Sequence, residues 1–432
     1  MKYITARMKK VIFALVAAIF AASVMSSGAL AADFIRVGTP SQAEQISSSP
    51  SVLYVQTISL KINGVKALLK NRAIAVNGTT LMPLREIMEL LDIRVEWVQE
   101  TKTVKMSKGG TVAELAIGSD VLTVNGKASS MPAKAELIGD VTYVPIRAVA
   151  ESFGATVGWD NYTKTVGIYT LENKNTLRIG DYIIRIGKSV SDMIFYCGEP
   201  SYSFLGENGL TWYVYAKYRT SLMAVATDGG IIFGYYTNSP YFTTSDGVAY
   251  GTPTTRSSKE YEVQSFPDHT FAKYNDLIGG KLISVSYMTK GVGNDFDESE
   301  ALRNQSRLGI DIINAFRYTN DKMAVEYDKY AADCCLDHAG YMAQKGSLTH
   351  TGADGSSAIQ RYLRYNPSFK WTSWGENVCA GAANVFTCIN GWINSEQHRS
   401  LLLSDKKYAG LGMVYAPNAK YRYCAALLML KA

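Results

Sequence analysis

The chain repeats itself in register. "LMPLREIMELLDIRVEWVQETKTVKM" from Leu81 returns as "YVPIRAVAESFGATVGWDNYTKTVGI" from Tyr143. Pro83 matches Pro145, Arg85 matches Arg147, Trp97 matches Trp159, and Lys102-Thr103-Val104 matches Lys164-Thr165-Val166, all at an offset of 62 residues. Further back, Asn63-Gly64 matches Asn125-Gly126 at the same spacing. An ungapped internal duplication means one supersecondary unit built twice. Each copy opens with an Asn-Gly turn between short apolar runs, continues with a Pro-x-Arg start to an amphipathic helix, and closes with an alternating strand. The expectation is a ββαβ-type unit, twice, over residues 50–170. Both tryptophans are assigned to helix-on-sheet packing rather than to ligand stacking, because large aromatic side chains are mostly core.

At 432 residues the chain exceeds one ordinary core, and its length suggests about three domains. Lys2, Arg7, Lys9 and Lys10 precede an apolar run from Val11 to Val24 that ends in Ala29-Leu30-Ala31. This order predicts a secretory signal peptide over residues 1–31. The run is short for a spanning helix, and no later segment is apolar enough to cross a bilayer. Without those four basic residues the net charge of +6 falls to about +2, which removes the support for a nucleic-acid partner. Of six cysteines, Cys334, Cys335, Cys379, Cys388 and Cys424 crowd the last hundred residues while Cys197 stands apart. One or two bridges are compatible with that set, and the pairing stays open.

The repeated Leu-x-Pro-Leu-Arg…Trp…Lys-Thr-Val pattern resembles the stalk-type domain named after the N-terminal domain of copper amine oxidases, common in secreted proteins of Gram-positive bacteria. The resemblance implies a fold and a spacer or wall-proximal role. It does not imply amine oxidation, which in that family resides in a separate large domain with copper-ligating histidines and a tyrosine-derived quinone. Residues 33–170 hold no histidine, so neither copper nor a quinone cofactor is expected.

Residues 175–290 are rich in tyrosine, glycine and β-branched residues, and alternation around Asp228-Gly229 predicts a hairpin. Gly187-Lys188-Ser189 invites a phosphate-loop reading, which fails because Tyr182 stands where the motif needs its first glycine. The aromatic residues are assigned to a half-buried sheet rather than to a sugar-binding platform. The stretch through Ile186-Gly187, Gly198-Glu199-Pro200, Trp212 to Tyr215 and Tyr236 to Ser239 resembles a domain that commonly precedes CAP domains, those of the cysteine-rich secretory, antigen 5 and pathogenesis-related 1 proteins. The polar run Gly291 to Glu300 reads as a linker.

From Leu308 the pattern turns helical. "IDIINAFRYTN" has apolar residues at helical spacing, "YDKYAADCCLDHAGYMAQKG" is a second amphipathic helix closed by Gly346, and the last residues alternate as two strands. Asn314 and Arg317 on the first helix, His350, Gly375 to Asn377, Trp392 to Arg399, and Gly410 to Gly412 together resemble the CAP domain, over residues 300–432. The resemblance implies an α-β-α sandwich. The whole chain is then α+β and multidomain: a duplicated stalk, a β-rich middle domain and a terminal CAP domain, secreted and extracellular or associated with the cell wall.

His350 and His398, 48 residues apart, together with Glu376 have the donor types for a divalent, zinc-like ion, and only the fold can assemble them. In the alternative, both imidazoles hydrogen-bond to Glu376 and tie loops together. His338 is expected to pack or cap, and His269 to lie on an exposed loop. The CAP resemblance implies a cleft of two histidines and two acidic residues that binds a divalent cation in some members. His350, Glu376 and His398 map onto three of those positions, beside Asn377. The fourth is Ser395; Glu396 is adjacent, but on a helix its side chain points about 100° away. Ser395 and His398, oriented by Glu376, also suggest a hydrolase or protease. No Gly-x-Ser-x-Gly elbow occurs, and Ser395 is expected to cap or pack a turn. Binding of a cell-envelope glycan, lipid or protein is therefore preferred to catalysis, with the enzyme question left open.

Overall fold

Proline has a fixed φ and no amide hydrogen, which suits it to a helix start. Pro83 and Pro145, both at φ −64°, stand immediately before α1 (Leu84–Leu90) and α2 (Ile146–Ser152). The computed structural model describes residues 58–432 except 77–78, 172–174, 218–220 and 256. The signal peptide expected over residues 1–31 lies outside the described residues. The two helices bury Leu84, Ile87 and Met88, and Ile146, Val149 and Ala150, in one common core with Val104 and Val166.

Each copy is longer than the expected ββαβ unit: two hairpins precede the helix and two strands follow it. The copies are also interlocked. Met82 and Val144, equivalent by the 62-residue offset, pair with each other across an antiparallel ladder, so a pseudo-twofold axis passes between them. The first hairpin among the described residues leaves its own copy. Ser59–Ile62 pairs in parallel with Thr165–Tyr169 of the second copy, from Ser59 opposite Thr165 to Ile62 opposite Ile168. Its equivalent, Val121–Val124 with Lys127–Ser130, completes a five-stranded sheet with the first copy.

The copies differ where one is docked. Gly158 and Gly167 face each other in the second copy, and a Cβ on either would meet the backbone of Gly229–Gly230 in the middle domain at 2.4–2.6 Å. The equivalent pair in the first copy is Glu96 and Lys105, which face no such neighbour and pair with Arg94 and Glu114. Gly229 and Gly230 form the hairpin turn expected at Asp228-Gly229, both at positive φ, a conformation that suits glycine.

That hairpin belongs to a seven-stranded antiparallel sheet running from Tyr202–Leu205 to Tyr261–Ser265. A half-buried sheet was expected, yet Met223–Asp228 and Ile231–Thr237 are buried along their whole length. The sheet has a partner on each face. Val225, Ile232 and Tyr235 pack under α3 (Val190–Cys197), while Ala224, Ala226 and Tyr236 join a core with the C-terminal helices.

The C-terminal region holds α4 (Glu298–Tyr318), α5 (Lys329–Lys345), α6 (Ala358–Tyr365), α7 (Val385–Ile393) and α8 (Glu396–Leu402) around a four-stranded sheet. α5 and α6 cover one face; α4 and α7 cover the other. Gly410 and Gly412 let α5 lie directly on the strand Tyr408–Tyr415, since a Cβ at either would come within 2.1 Å of helix backbone. The run expected to be a free linker is stitched down. The Lys61 ammonium lies 2.6 Å from buried Asp228 and also donates to the Gly293 carbonyl, while the Gly293 amide donates to Asp228. Among the described residues no helix is long and apolar enough to cross a membrane.

Candidate functional site

Successive residues of a strand point to opposite faces, and the strand Ser373–Ala380 uses both. Gly375 leaves room for Leu401, whose Cδ1 would stand 2.5 Å from a Cβ there, so α8 sits close on the strand. Asn377, on the same face, donates from Nδ2 to the His398 carbonyl at 3.0 Å and fixes the helix that carries that histidine. Glu376 points the other way, its side chain only 3% exposed.

A buried carboxylate needs a cation or several donors. Glu376 receives Arg361 of α6 on Oε1, and Oε2 lies 2.9 Å from His350 Nδ1. The capping box of Ser357 and Gln360 sets the start of α6. Arg361 Nη1 then donates to the His350 carbonyl at 3.0 Å and the Ser356 carbonyl at 2.9 Å. His338, from α5, donates from Nε2 to the Thr349 carbonyl at 2.7 Å and stands 4.0 Å from Glu376 Oε2. Burial lowers its pKa from the usual 6.5, so it is a neutral, packed residue. His269 differs from its loop assignment: it opens the strand His269–Asp276, stacked between Phe266 and Tyr287.

His398 lies on α8, and its Nδ1 is 2.7 Å from Ser395 Oγ. Partial burial, and then the nearby charge of His350, lower its pKa, which favours the neutral imidazole. Ser395 occupies the N-cap position of α8, but its hydroxyl meets His398 rather than capping an amide. Glu396 is exposed in the first turn of α8. Cys379 lies on the opposite sheet face from Glu376, in contact with the Cys388 thiol.

Of the expected set of His350, His398 and Glu376, His350 meets Glu376, whereas among the described residues no hydrogen bond joins Glu376 to His398. Among the described residues no three histidine, cysteine or acidic side chains are grouped to hold a metal ion, and both oxygens of Glu376 are engaged by Arg361 and His350. The imidazoles of His350 and His398 are each anchored at one nitrogen. Each has Nδ1 held by Glu376 or Ser395, and among the described residues neither Nε2 has a hydrogen-bond partner. Backing of an imidazole by a carboxylate is a common arrangement around bound metals. Glu376 does not orient His398, so the serine triad expected as an alternative lacks its third member. Sequence reasoning missed Arg361; the signal was the need of a buried Glu376 for a cation.

The family profile described as "Copper amine oxidase N-terminal domain" matches residues 61–168, and that of the "Cysteine-rich secretory protein family" matches residues 310–428. The chain is 24% identical over 155 residues to an uncharacterized membrane protein, YlbC, of Bacillus subtilis, covering 35% of this chain and 43% of that protein. It is 31% identical over 114 residues to a protease inhibitor of Brevibacillus choshinensis, covering 26% and 34%. The matches thus span less than half the length of either relative. Among solved structures, an extracellular protein containing an SCP domain from Bacillus anthracis aligns with 17% identity and a TM-score of 0.47, over 57% of this chain and 94% of that one. A cysteine-rich secretory protein from Staphylococcus aureus aligns with 16% identity and a TM-score of 0.42, over 57% and 91%. The chain thus carries a domain of the cysteine-rich secretory protein (CAP) family over residues 310–428 and a copper amine oxidase N-terminal domain over residues 61–168.

Proposed function

We propose that the CAP domain is an extracellular binding module for a cell-envelope glycan, lipid or protein, and that His350 and His398 hold a divalent, zinc-like cation at its surface. The observation that carries the reading is the pair of imidazoles held at Nδ1 and free at Nε2. A bound ion would supply positive charge and Lewis acidity to an oxygen ligand. Two protein nitrogens make an open site with weak affinity, unlike the closed four-ligand sites of structural zinc. The lowered pKa of His398 keeps its lone pair available at neutral pH, and affinity falls on acidification as that imidazole takes up a proton.

Calorimetric titration of the full chain with zinc is the test. His350→Ala or His398→Ala removes the binding heat, while Glu376→Gln weakens it about tenfold through loss of the orienting carboxylate. Absence of zinc binding by the wild type, or full binding by His398→Ala, overturns the proposal. The 2.7 Å contact of Ser395 with His398 gives the hydrolase reading its one support. That reading requires fluorophosphonate labelling of Ser395 and loss of an activity in Ser395→Ala.

A further inference from the structure

Trp97 and Trp159 are equivalent in the duplication, but only Trp159 packs against the stalk core. Trp97 is 37% exposed, at the edge strand of its sheet. Its Nε1 donates to Gln99 Oε1 at 2.6 Å, which fixes the plane of the ring. The indole stands over a groove of about 680 Å³ between the two copies, within the roughly 300–1,000 Å³ typical of small-molecule sites. Arg85 and Glu89 of α1 form one side, and Leu137 and Asp140 of the second copy face them. Leu137 is itself half exposed.

The charge around the groove is balanced: Lys70, Arg85 and Lys102 against Glu86, Glu89 and Asp140. Neither a polyanion nor a polycation is matched by it. What the groove offers is a flat aromatic face rimmed by planar polar groups. A β-linked pyranose with equatorial hydroxyls has the complementary surface, with axial C–H groups on its faces and hydroxyls around its edge. Aromatic rings with a fixed plane pack such faces at little entropic cost, and carboxylates, amides and guanidinium groups pair with edge hydroxyls. A lipid chain would leave the ionic rim unpaired and desolvated.

We propose that this groove binds a neutral, β-linked glycan chain, with one sugar stacked on Trp97 and its hydroxyls held by Arg85, Glu89, Gln99 and Asp140. The site is separate from the CAP histidines and does not depend on them. Titration of the full chain with chitohexaose and, separately, cellohexaose, followed by calorimetry and tryptophan fluorescence, tests it. Saturable binding of at least one sugar is expected, and the better ligand shows whether acetamido groups contribute. Trp97→Ala should weaken it at least tenfold with an unchanged circular dichroism spectrum, and Tyr182→Ser, at an exposed ring of the middle domain outside the groove, should leave it unchanged. If Trp97→Ala fails to fold, Leu137→Ser and Asp140→Asn on the facing wall carry the test, each expected to weaken binding several-fold. The proposal is overturned if the wild type binds neither sugar, if Trp97→Ala binds as well as wild type, if Tyr182→Ser loses binding, or if both facing-wall variants retain full affinity.

Discussion

Glu376 is the residue on which the CAP site depends, because it is a buried charge with a single cationic partner. Truncating one member of a buried ion pair costs about 3–5 kcal/mol, since the other charge is left unpaired. Glu376→Ala and Arg361→Ala should each lower stability by about that amount in urea titrations, and the double variant by much less than the sum. His338 adds a pH dependence. Its pKa in the folded state is below the usual 6.5, so the unfolded chain binds the proton more readily. The stability it contributes is complete above about pH 6.5 and declines below it, toward the folded value. The urea midpoint should fall between pH 7.5 and 5.5, with a smaller drop in His338→Gln. All six cysteines are free thiols in the structure, and sheet faces set which of them can meet. Cys379 and Cys388 share one face, whereas Cys334, Cys335 and Cys424 share the other. Peptide mapping of oxidised protein should find Cys379 joined to Cys388 and never to Cys424. His350, Glu376, Asn377 and His398 were legible as candidates because each sits in a short local motif. Arg361 and the true partner of Ser395 were not, because burial and side-chain direction arise only when distant segments meet.

Among the elements, the hairpin of Thr156–Asp160 with Thr165–Tyr169 shows how one copy of a duplication became a docking surface. A side chain at Gly158 would enter the space of Gly230, and overpacking of this kind costs about 1–3 kcal/mol. Gly158→Val should loosen the stalk from the middle domain, measured as faster amide exchange at Gly167, whose N–H donates to the Gly229 carbonyl, and a larger radius of gyration. Glu96→Gly, at the equivalent position of the undocked copy, should do neither. The offset of 62 residues, the two helices and the Asp228-Gly229 turn could be read from periodicity and turn chemistry. The exchange of strands between copies could not, because the pattern of a strand records which face is buried and not which neighbour it pairs with. The same limit explains Trp97. Its sequence position matches Trp159, and only the neighbours that each meets separate a core residue from an exposed one.

At the scale of the whole molecule, the middle and CAP domains are less separate than their motifs suggest. Phe386 of α7 stacks on Tyr236 at 4.2 Å and also contacts Trp212. Arg399 reaches Asp276 with both terminal nitrogens, and Asn238 donates to the Ile312 carbonyl. A fragment of residues 300–432 exposes this surface, so it should melt well below the full chain or aggregate. A fragment of residues 175–432 should unfold in one calorimetric transition. The parallel pairing of Ser59–Ile62 with Thr165–Tyr169 has a mechanical side. Tension applied between the chain upstream of Ser59 and the CAP domain pulls these two strands along their length in opposite directions. The hydrogen bonds between them are then loaded together in shear instead of being unzipped one at a time, so the stalk is built to resist being drawn out between its ends.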